Sequence, residues 1–312
     1  MIQAPPRPTV SVVITTYNRA ELCIRAVESA LAQTYQHVEI IVVDDGSRDG
    51  TAERLRSRFG SKITLIRQEN RGVSAARNVG VAAGKGTLVA LLDSDDYWLP
   101  EKTEEQVRYL EAHPEYGMVL CNLSNFHANG QELGESNRRR ALPRDGRILD
   151  LVLMSPALVP SSVMIRRALY ESIGGFDEAL PTAEDLDFHL RVAACTSIAL
   201  LERPLARIAR GDTSGLSMLS RTNRDHVLVV RRFVERAHDL LTPQQQRAAM
   251  FNVLCYNARS STLSLRPMEG TYLAVEALSY ASTLQEVWAL IRLAPLILKS
   301  SIKRLLRTGR GA

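Results

Sequence analysis

The chain has 312 residues, 45% of them hydrophobic and 23% charged, which is the composition of an ordinary globular protein. The formal net charge is only +5, and the N-terminal half has no basic stripe interleaved with aromatic residues, so nucleic-acid binding is disfavoured. No apolar run approaches the roughly 20 residues that a membrane-spanning helix needs. The length allows one large domain or two modest ones.

The four cysteines, Cys23, Cys121, Cys195 and Cys255, are far apart and include no C-x-x-C pair. This spacing disfavours a zinc site or a disulfide framework and fits a reducing compartment. The proline-rich N-terminus has no apolar segment of the kind found in secretory signals. We therefore expect a cytoplasmic protein.

The N-terminal third alternates between strand-like and helix-like segments. Asn18 is expected to cap the first helix, and the small residues of 72–83 indicate a helix packed tightly on the sheet. Strict alternation of strand and helix is typical of an α/β fold with a largely parallel sheet. The predicted strands cover residues 10–16, 39–43, 63–66 and 88–92, and the predicted helices cover 19–33, 51–59 and 72–83.

The middle of the chain mixes both elements, and its end is helical throughout. The change of character predicts two domains, 1–215 and 216–312. Helices are predicted over 101–112 and 184–194, and strands over 116–126, 159–165, 198–201 and 205–208. The last predicted helices cover 224–240, 243–260, 268–281 and 284–306.

Two predicted strands end in carboxylates, at Asp44-Asp45 and at Asp93, Asp95 and Asp96. Ligands of parallel sheets bind beyond the carboxyl ends of the strands, so these acids are expected to meet in one crevice. Their mutual repulsion favours compensation by a divalent metal, Mn²⁺ or Mg²⁺, which would itself hold a substrate diphosphate. The alternative is a solvated acidic turn that caps the helix beginning near residue 100.

The residues after the first strand exclude two common nucleotide sites. A Thr-Tyr-Asn-Arg sequence follows residue 15, where a dinucleotide-binding fold has G-x-G-x-x-G and an ATPase has a Walker P-loop. The chain carries a set of six motifs in order: VVITTYNR (12–19), VVDDGS (42–47), NRGVSAARN (70–78), LDSDD (92–96), GGFD (174–177) and ED (184–185). This set closely resembles family 2 glycosyltransferases, which have the GT-A fold and invert the anomeric centre.

The resemblance implies a nucleotide site in the first half of the chain. Asp45 would accept the imide N–H of uracil, since an ionised carboxylate is an acceptor-only group. Thr15, Tyr17 and Arg77 would complete the pocket, with the Tyr17 ring as a flat surface for the base. The alternative for Arg77 is an ion pair on the helix surface. Asn70 would contact the base or would only close a turn.

The resemblance also implies a D-x-D metal motif and a catalytic base. Asp93 would hold the ribose or the metal, Ser94 would line the nucleotide-sugar site, and Asp95 would bind the metal, which neutralises the departing diphosphate. Asp185 would take the proton from the attacking hydroxyl. Glu184 would face the sugar or acceptor. The alternative for Asp185 is an acid stabilised by the dipole at a helix N-terminus.

Two positions in this resemblance are open. Trp98 is expected to form a wall of the sugar or acceptor site, or else to be a core residue, and Asp96 is expected to cap the next helix. Many relatives place a histidine in the strand after the base helix, but residues 206–211 contain none. The metal would then be held by Asp95, diphosphate and water, or Arg207 or Arg210 would partly replace its charge.

The C-terminal tail is basic and apolar. No acidic residue follows Glu286, whereas six Lys and Arg residues lie between 292 and 310, interleaved with apolar residues. This pattern predicts a helix pair lying on an anionic membrane, at the inner face of the cytoplasmic membrane. The alternative is a helical lid on the catalytic domain or a dimer contact.

The sequence therefore predicts an inverting glycosyltransferase. It would move a sugar from a nucleotide diphosphate, UDP above all, to a hydroxyl of a saccharide or lipid-linked acceptor in bacterial polysaccharide and envelope assembly. A sugar-nucleotide pyrophosphorylase is disfavoured, because that class expects a Gly-rich basic loop after the first strand. A non-catalytic carbohydrate-binding or scaffold protein with the same fold is the remaining alternative.

Overall fold

The computed structural model describes residues 9–127, 131–135, 146–154, 158–210 and 222–308. The chain divides into two compact units. The first unit is built from Met1–Ile148 and Leu158–Ser214, and the second from Leu149–Ala157 and Gly215–Ala312. The second unit therefore takes a short stretch, 149–157, that the predicted domains assign to the first.

Nine strands form one sheet in the described part of the first unit. The strands are β1 (Val10–Thr16), β2 (Val38–Asp44), β3 (Thr64–Arg67), β4 (Leu88–Asp93), β5 (Tyr97–Trp98), β6 (Tyr116–His127), β7 (Glu132–Glu135), β8 (Val163–Arg166) and β9 (Ser197–Arg210). Their order is β3-β2-β1-β4-β8-β6-β9-β5, with β7 paired to β6. Strands β1, β2, β3, β4, β6 and β9 share one direction, which confirms the expected α/β fold with a mostly parallel sheet.

The helices of the first unit flank this sheet, and those of the second unit pack on one another. In the first unit they are α1 (Ala20–Leu31), α2 (Thr51–Phe59), α3 (Val73–Ala83), α4 (Lys102–Ala112), α6 (Arg167–Ser172) and α7 (Glu184–Cys195). In the second unit they are α5 (Leu149–Met154), α8 (Thr222–Arg236), α9 (Pro243–Leu263), α10 (Pro267–Leu278), α11 (Leu284–Ile291) and α12 (Ala294–Thr308). None of the helices described has both the length and the apolar composition of a bilayer-spanning segment.

The register of the central strands brings the two acidic clusters together. Thr16 of β1 pairs with Asp44 of β2, and Thr15 pairs with Asp93 of β4. Strand β1 thus separates the two acidic strand ends by one strand width on each side, roughly 5 Å. The predicted convergence of the carboxylates on one edge of the sheet is confirmed.

Helix α3 lies very close to the sheet. A Cβ atom on Gly80 would stand 2.4 Å from Cγ1 of Val13 and 3.2 Å from Cγ2 of Val43, so only glycine fits there. Both valines are buried. This contact is the physical reason for the small residues that the sequence shows in 72–83.

Asn18 does not cap helix α1, and this prediction is wrong. The cap position is Arg19, and Asn18 has a left-handed backbone with φ of 51°. Its side chain accepts a hydrogen bond from the backbone N–H of Arg48 at 2.8 Å, and its own N–H donates to Ser47 Oγ at 2.8 Å. Asn18 therefore fastens the turn after β1 to the turn after β2.

Other predicted boundaries also differ from the structure, and three of the differences have a physical reason. Residues 198–208 belong to one strand, β9, because it pairs with β6 on both sides of a register shift between Leu201 and Pro204. The predicted strand over 159–165 begins as a 3₁₀ turn, Pro160–Ser162. The segment 284–306 is two helices, and Pro295 lies in the first turn of the second, where its missing N–H has no helical partner to lose.

Candidate active site

Asp45, directly after β2, organises the loop that precedes helix α3. Its side chain is buried and accepts three hydrogen bonds, from Gln68 Nε2 at 2.7 Å and from the backbone N–H groups of Arg71 and Gly72 at 2.9 Å. Gly46 has φ of +85°, and a Cβ there would stand 2.9 Å from the backbone nitrogen of Asn70. The second aspartate of the VVDDGS motif thus positions the whole NRG segment.

The neighbouring residues of this pocket differ in exposure. Thr15 is buried at the end of β1, whereas Tyr17 is 46% exposed and Asn70 is exposed. Asp44 is fully buried; its Oδ1 accepts from the Ser47 N–H at 2.9 Å, and its Oδ2 has no hydrogen-bond partner among the described residues. The Tyr17 ring is therefore accessible to a ligand, whereas the carboxylates of Asp44 and Asp45 are buried.

Arg77 of α3 joins the two predicted catalytic regions. It is 4% exposed and donates from Nη2 to Asp93 Oδ1 at 2.8 Å and from Nη1 to Glu184 Oε1 at 2.9 Å. Its guanidinium also lies over the ring of Phe176, 4.9 Å from the centroid. Burial alone would lower the pKa of Arg77, but the carboxylates of Asp93 and Glu184 raise it above its ordinary value.

The GGFD motif places the aromatic ring against Arg77. Gly174 and Gly175 both have positive φ, and a Cβ on Gly175 would stand 2.6 Å from Asn78 Oδ1. Asn78 donates to the Phe176 carbonyl at 2.9 Å and accepts from the Phe176 N–H at 2.9 Å. Phe176 in turn stacks on Phe188 of α7, with centroids 4.3 Å apart. The motif therefore fixes α7 to α3.

The D-x-D turn after β4 carries carboxylates in different surroundings. Asp95 accepts from Arg19 Nη1 at 2.7 Å, and its backbone carbonyl accepts from Arg25 Nη2 at 2.6 Å. Ser94 is buried. Burial and the nearby charge of Asp93 raise the pKa of Asp95, although Arg19 opposes the shift.

Asp96 does not cap helix α4, and this prediction is wrong. Its buried carboxylate accepts from Ser161 Oγ at 2.6 Å and from the Ala209 N–H at 3.0 Å. Burial and the charges of Asp95 and Asp93 raise its pKa well above the usual value. Asp96 thus ties the D-x-D turn to the sheet.

Asp93 and Asp95 have the donor atoms that a hard divalent cation requires. Each carboxylate gives one oxygen to an arginine, Arg77 or Arg19, so each has a second oxygen that could bind a cation. Burial, and after it the charge of Asp93, raises the pKa of Asp95, and a bound cation would offset both effects. Within the described part of the chain, no cluster of three or more His, Cys, Asp or Glu side chains is arranged as a metal site. A cation would therefore fit here with two protein ligands and the rest of its shell from substrate and water.

The missing histidine suggested that Arg207 or Arg210 would bring positive charge to Asp95. The structure gives both arginines other partners. Arg207 pairs with Glu132, and Arg210 donates from Nε to Asn125 at 2.8 Å. The arginine that contacts the Asp95 carboxylate is Arg19, which comes from the N-terminal motif.

Glu184 and Asp185 begin helix α7. The preceding Ala183 has φ of 61°, a left-handed conformation that costs an alanine about 1 kcal/mol or more. Glu184 is 7% exposed and holds Arg77. Burial, and after it the charge of Glu184, raises the pKa of Asp185 to about 7. A carboxyl group with that pKa can take up a proton near neutral pH.

Trp98 lies in the core of the first unit. It is 3% exposed, its Nε1 donates to the Ser161 carbonyl at 2.8 Å, and the buried ammonium of Lys102 lies 3.9 Å from the ring centroid. These contacts favour the interpretation of Trp98 as a core residue over its interpretation as a wall of the sugar or acceptor site.

Three residues for which the sequence predicts no role also contact the site, namely Gln68, Ser161 and Arg19. Gln68 donates to Asp45, while its Oε1 is buried with no hydrogen-bond partner among the described residues. Ser161 hydrogen-bonds to both Asp93 and Asp96. Arg19 belongs to a motif that was recognised, but nothing in the spacing relates it to a turn 76 residues away.

The chain is similar in sequence to several bacterial proteins. It is 32% identical over 228 residues to an uncharacterized glycosyltransferase of Rickettsia felis, covering 70% of this chain and 37% of that protein. It is 37% identical over 119 residues to UDP-Glc:alpha-D-GlcNAc-diphosphoundecaprenol beta-1,3-glucosyltransferase WfaP of Escherichia coli, covering 38% and 46%. The chain spans about a third to three fifths of the length of the first curated relatives that it matches.

Solved structures share the fold. TarS residues 1–349 of S. aureus match with a TM-score of 0.64 and 21% identity, covering 95% of this chain and 88% of that one. The mannosyltransferase PcManGT of Pyrobaculum calidifontis, in complex with GDP-Man and Mn²⁺, matches with a TM-score of 0.58 and 20% identity, covering 96% and 87%. These likenesses establish the expected GT-A architecture.

The family model described as Glycosyl transferase family 2 matches residues 11–174, which is more than half of the chain. The matched region contains the pocket at Asp45, the D-x-D turn and Arg77. The chain belongs to glycosyl transferase family 2.

Proposed function

We propose that this protein is an inverting glycosyltransferase that transfers a sugar from a UDP-sugar to a hydroxyl group. The observation that carries the proposal is the Arg77 bridge between Asp93 and Glu184, which brings the D-x-D turn beside Asp185. Asp93, which would bind the donor, contacts Arg77 directly. Asp185, whose pKa is about 7, directly follows Glu184, which also contacts Arg77.

The nucleotide would bind at the carboxyl ends of β1 and β2. The exposed ring of Tyr17 offers a surface for the base, and we assign Thr15 and Asn70 to the same pocket. Asp45 keeps acceptor capacity beyond its three internal hydrogen bonds, since an ionised carboxylate has about four acceptor positions. The name of the E. coli relative, which uses UDP-Glc, supports UDP as the nucleotide.

A divalent metal, Mn²⁺ or Mg²⁺, would be held by Asp93 and Asp95. When bound, it would supply Lewis-acid stabilisation of the charge on the departing diphosphate. Arg19 lies within hydrogen-bonding distance of the same turn and brings a fixed positive charge to it. The Mn²⁺ in the mannosyltransferase structure supports this assignment.

Asp185 would act as the base. Inversion requires the acceptor oxygen to attack the ring face opposite the diphosphate, so the base must face the acceptor. Arg77 holds the neighbouring Glu184, which keeps the first turn of α7 against β4. Glu184 remains a candidate for the sugar or acceptor side of this site, whereas Trp98 lies in the core.

The acceptor would be a saccharide or a lipid-linked sugar in bacterial polysaccharide or cell-envelope assembly. The E. coli relative acts, by its name, on a sugar carried by diphosphoundecaprenol. We place the protein in the cytoplasm, at the inner face of the cytoplasmic membrane, where such acceptors present their head groups.

The test is a thermal-shift panel of UDP, GDP and dTDP, each with and without Mn²⁺. We expect UDP to stabilise the protein most and Mn²⁺ to increase its effect. Donor hydrolysis by the wild type, lost in Asp95→Ala and Asp185→Asn, would separate an enzyme from a carbohydrate-binding scaffold. Stabilisation by none of the nucleotides would overturn the proposal.

A further inference from the structure

The last two helices of the second unit present large apolar side chains to solvent. On α11, Leu284 is 80% exposed, Trp288 59% and Ile291 51%; on α12, Leu298 is 63% exposed and Ile302 50%. The spacing of i, i+4 and i+7 places the residues of each helix on one face. Each helix therefore has an apolar face that the described residues leave uncovered.

The opposite faces of the same helices anchor them to the unit. Leu290 of α11 is 7% exposed, and Ser300 of α12 is 5% exposed and donates to the Thr262 carbonyl of α9 at 2.8 Å. The start of α11 is fixed by a capping box between Thr283 and Glu286. The exposed apolar faces are thus surfaces of anchored helices.

Positive charge lies beside these apolar residues. Arg292, Lys299 and Lys303 are exposed, and each is adjacent in sequence to Ile291, Leu298 or Ile302. The chain has no acidic residue after Glu286. A surface that is both apolar and basic matches an anionic bilayer, which offers acyl chains below a layer of phosphates.

Helix α10 of the same unit provides an internal contrast. Its Met268 and Tyr272 are 80% and 70% exposed, so it also presents apolar side chains. However, Glu269 lies between these two residues in the sequence, and Glu276 follows them. Both glutamates pair with arginines of the same unit. An apolar face with acidic neighbours is a poor match for anionic lipid.

We propose that the α11–α12 face, formed by the five apolar and three basic residues above, lies in the interface of an anionic phospholipid bilayer. Trp288 suits the position, because indole rings favour the boundary between head groups and acyl chains. This inference rests on the proposed function, because it names the surface that would bring the active site to lipid-linked acceptors. Binding to the bilayer can be measured without catalytic activity.

The experiment uses the full chain and phosphatidylcholine vesicles with or without phosphatidylglycerol. Co-flotation and a blue shift of tryptophan fluorescence are expected only with phosphatidylglycerol. The chain has two tryptophans, and Trp98 is 3% exposed, so a shift reports Trp288. Quenching by brominated lipid should accompany the shift.

Variants separate this face from others. Lys299→Gln with Lys303→Gln should weaken binding to anionic vesicles by about five-fold per charge. Trp288→Ser with Ile302→Ser should abolish co-flotation. The matched control, Met268→Ser with Tyr272→Ser, removes from α10 two apolar side chains that are more exposed than Trp288 and Ile302, and should bind like the wild type.

Equal binding to both vesicle types, or no binding, would overturn the inference, as would a control variant that loses binding. The inference would also be overturned if the wild type were an oligomer and the double variant Trp288→Ser, Ile302→Ser dissociated it without changing flotation. A second copy of the chain would then cover the face. Vesicle binding without nucleotide binding would leave this inference intact and remove the proposed function. Nucleotide binding without vesicle binding would do the reverse.

Discussion

Arg77 and Glu184 form an ion pair of 2.9 Å in which the two side chains are 5% and 9% exposed. They come from positions 107 residues apart in the chain, one on α3 and one at the start of α7. Asp93 also contacts Arg77, so that one buried guanidinium forms ion pairs with two carboxylates. Removing one partner of a buried ion pair destabilises the folded protein, because the remaining charge is left uncompensated.

We expect Arg77→Gln to destabilise the protein by about 3–5 kcal/mol, because it leaves the buried carboxylate of Glu184 and the partly buried carboxylate of Asp93 without their cation. Urea unfolding measures the change. The control is Arg71→Gln, whose ion pair with Glu178 is 57% and 40% exposed and should contribute no more than about 1 kcal/mol. Equal unfolding midpoints for the two variants would show that Arg77 is not part of a balanced cluster.

Asp185 should give the transfer reaction its acid limb. Since the base must be ionised, kcat/KM should fall about ten-fold per pH unit below about pH 7, the pKa of this group. Asp185→Asn should lower kcat by about 10²–10⁴-fold and remove the limb. A wild-type profile that stays flat down to pH 5 would exclude Asp185 as the base.

The same group should affect stability with pH in a defined direction. Its folded pKa of about 7 lies above the ordinary 3.8, so the folded state holds the proton more tightly. The stabilising contribution is present below about pH 4 and is lost as the pH rises through 7. Asparagine cannot ionise, so Asp185→Asn should gain stability relative to wild type between pH 5 and pH 8. A constant difference between the two proteins over that range would contradict this.

Arg19 should compete with a divalent cation for Asp95, because both seek the same carboxylate. Arg19→Ala is expected to strengthen Mn²⁺ binding without nucleotide by about five-fold, the scale of a partly exposed ion pair. Free Mn²⁺ is measured by electron paramagnetic resonance during titration. Arg54→Ala, which removes an exposed pair with Glu21, is the control and should leave the affinity unchanged. A weaker affinity in Arg19→Ala would mean that Arg19 supports the metal site.

Gly80→Ala tests the close packing of α3. At an exposed helical position this change would stabilise by up to about 1 kcal/mol. Here the new methyl group would meet Val13 at 2.4 Å, so overpacking should dominate and destabilise by about 1–3 kcal/mol. Thermal unfolding gives the sign. Ala82→Ser, on the exposed side of the same helix, should change stability by less than about 0.5 kcal/mol.

The sequence by itself determined most of the elements of the first unit, though not β5, β7 or α6, and the edge of the sheet where the acids meet. Alternation of apolar strands and helices is a local pattern, and parallel strands must end on a common edge, so Asp45 and Asp93 could be placed together without coordinates. The same locality explains why the boundaries of β1 and α2 were predicted correctly.

Only the tertiary structure decided the partners of the charged residues. Arg19 reaches Asp95 across 76 positions and Arg77 reaches Glu184 across 107, and no periodicity encodes such distances. Asn18 and Asp96 were misassigned as helix caps because each is a favoured cap residue locally, whereas long-range hydrogen-bond partners held them elsewhere. Charges and caps are settled by which backbone and side-chain groups the fold brings within about 3 Å, and that is a property of the assembled sheet and helices.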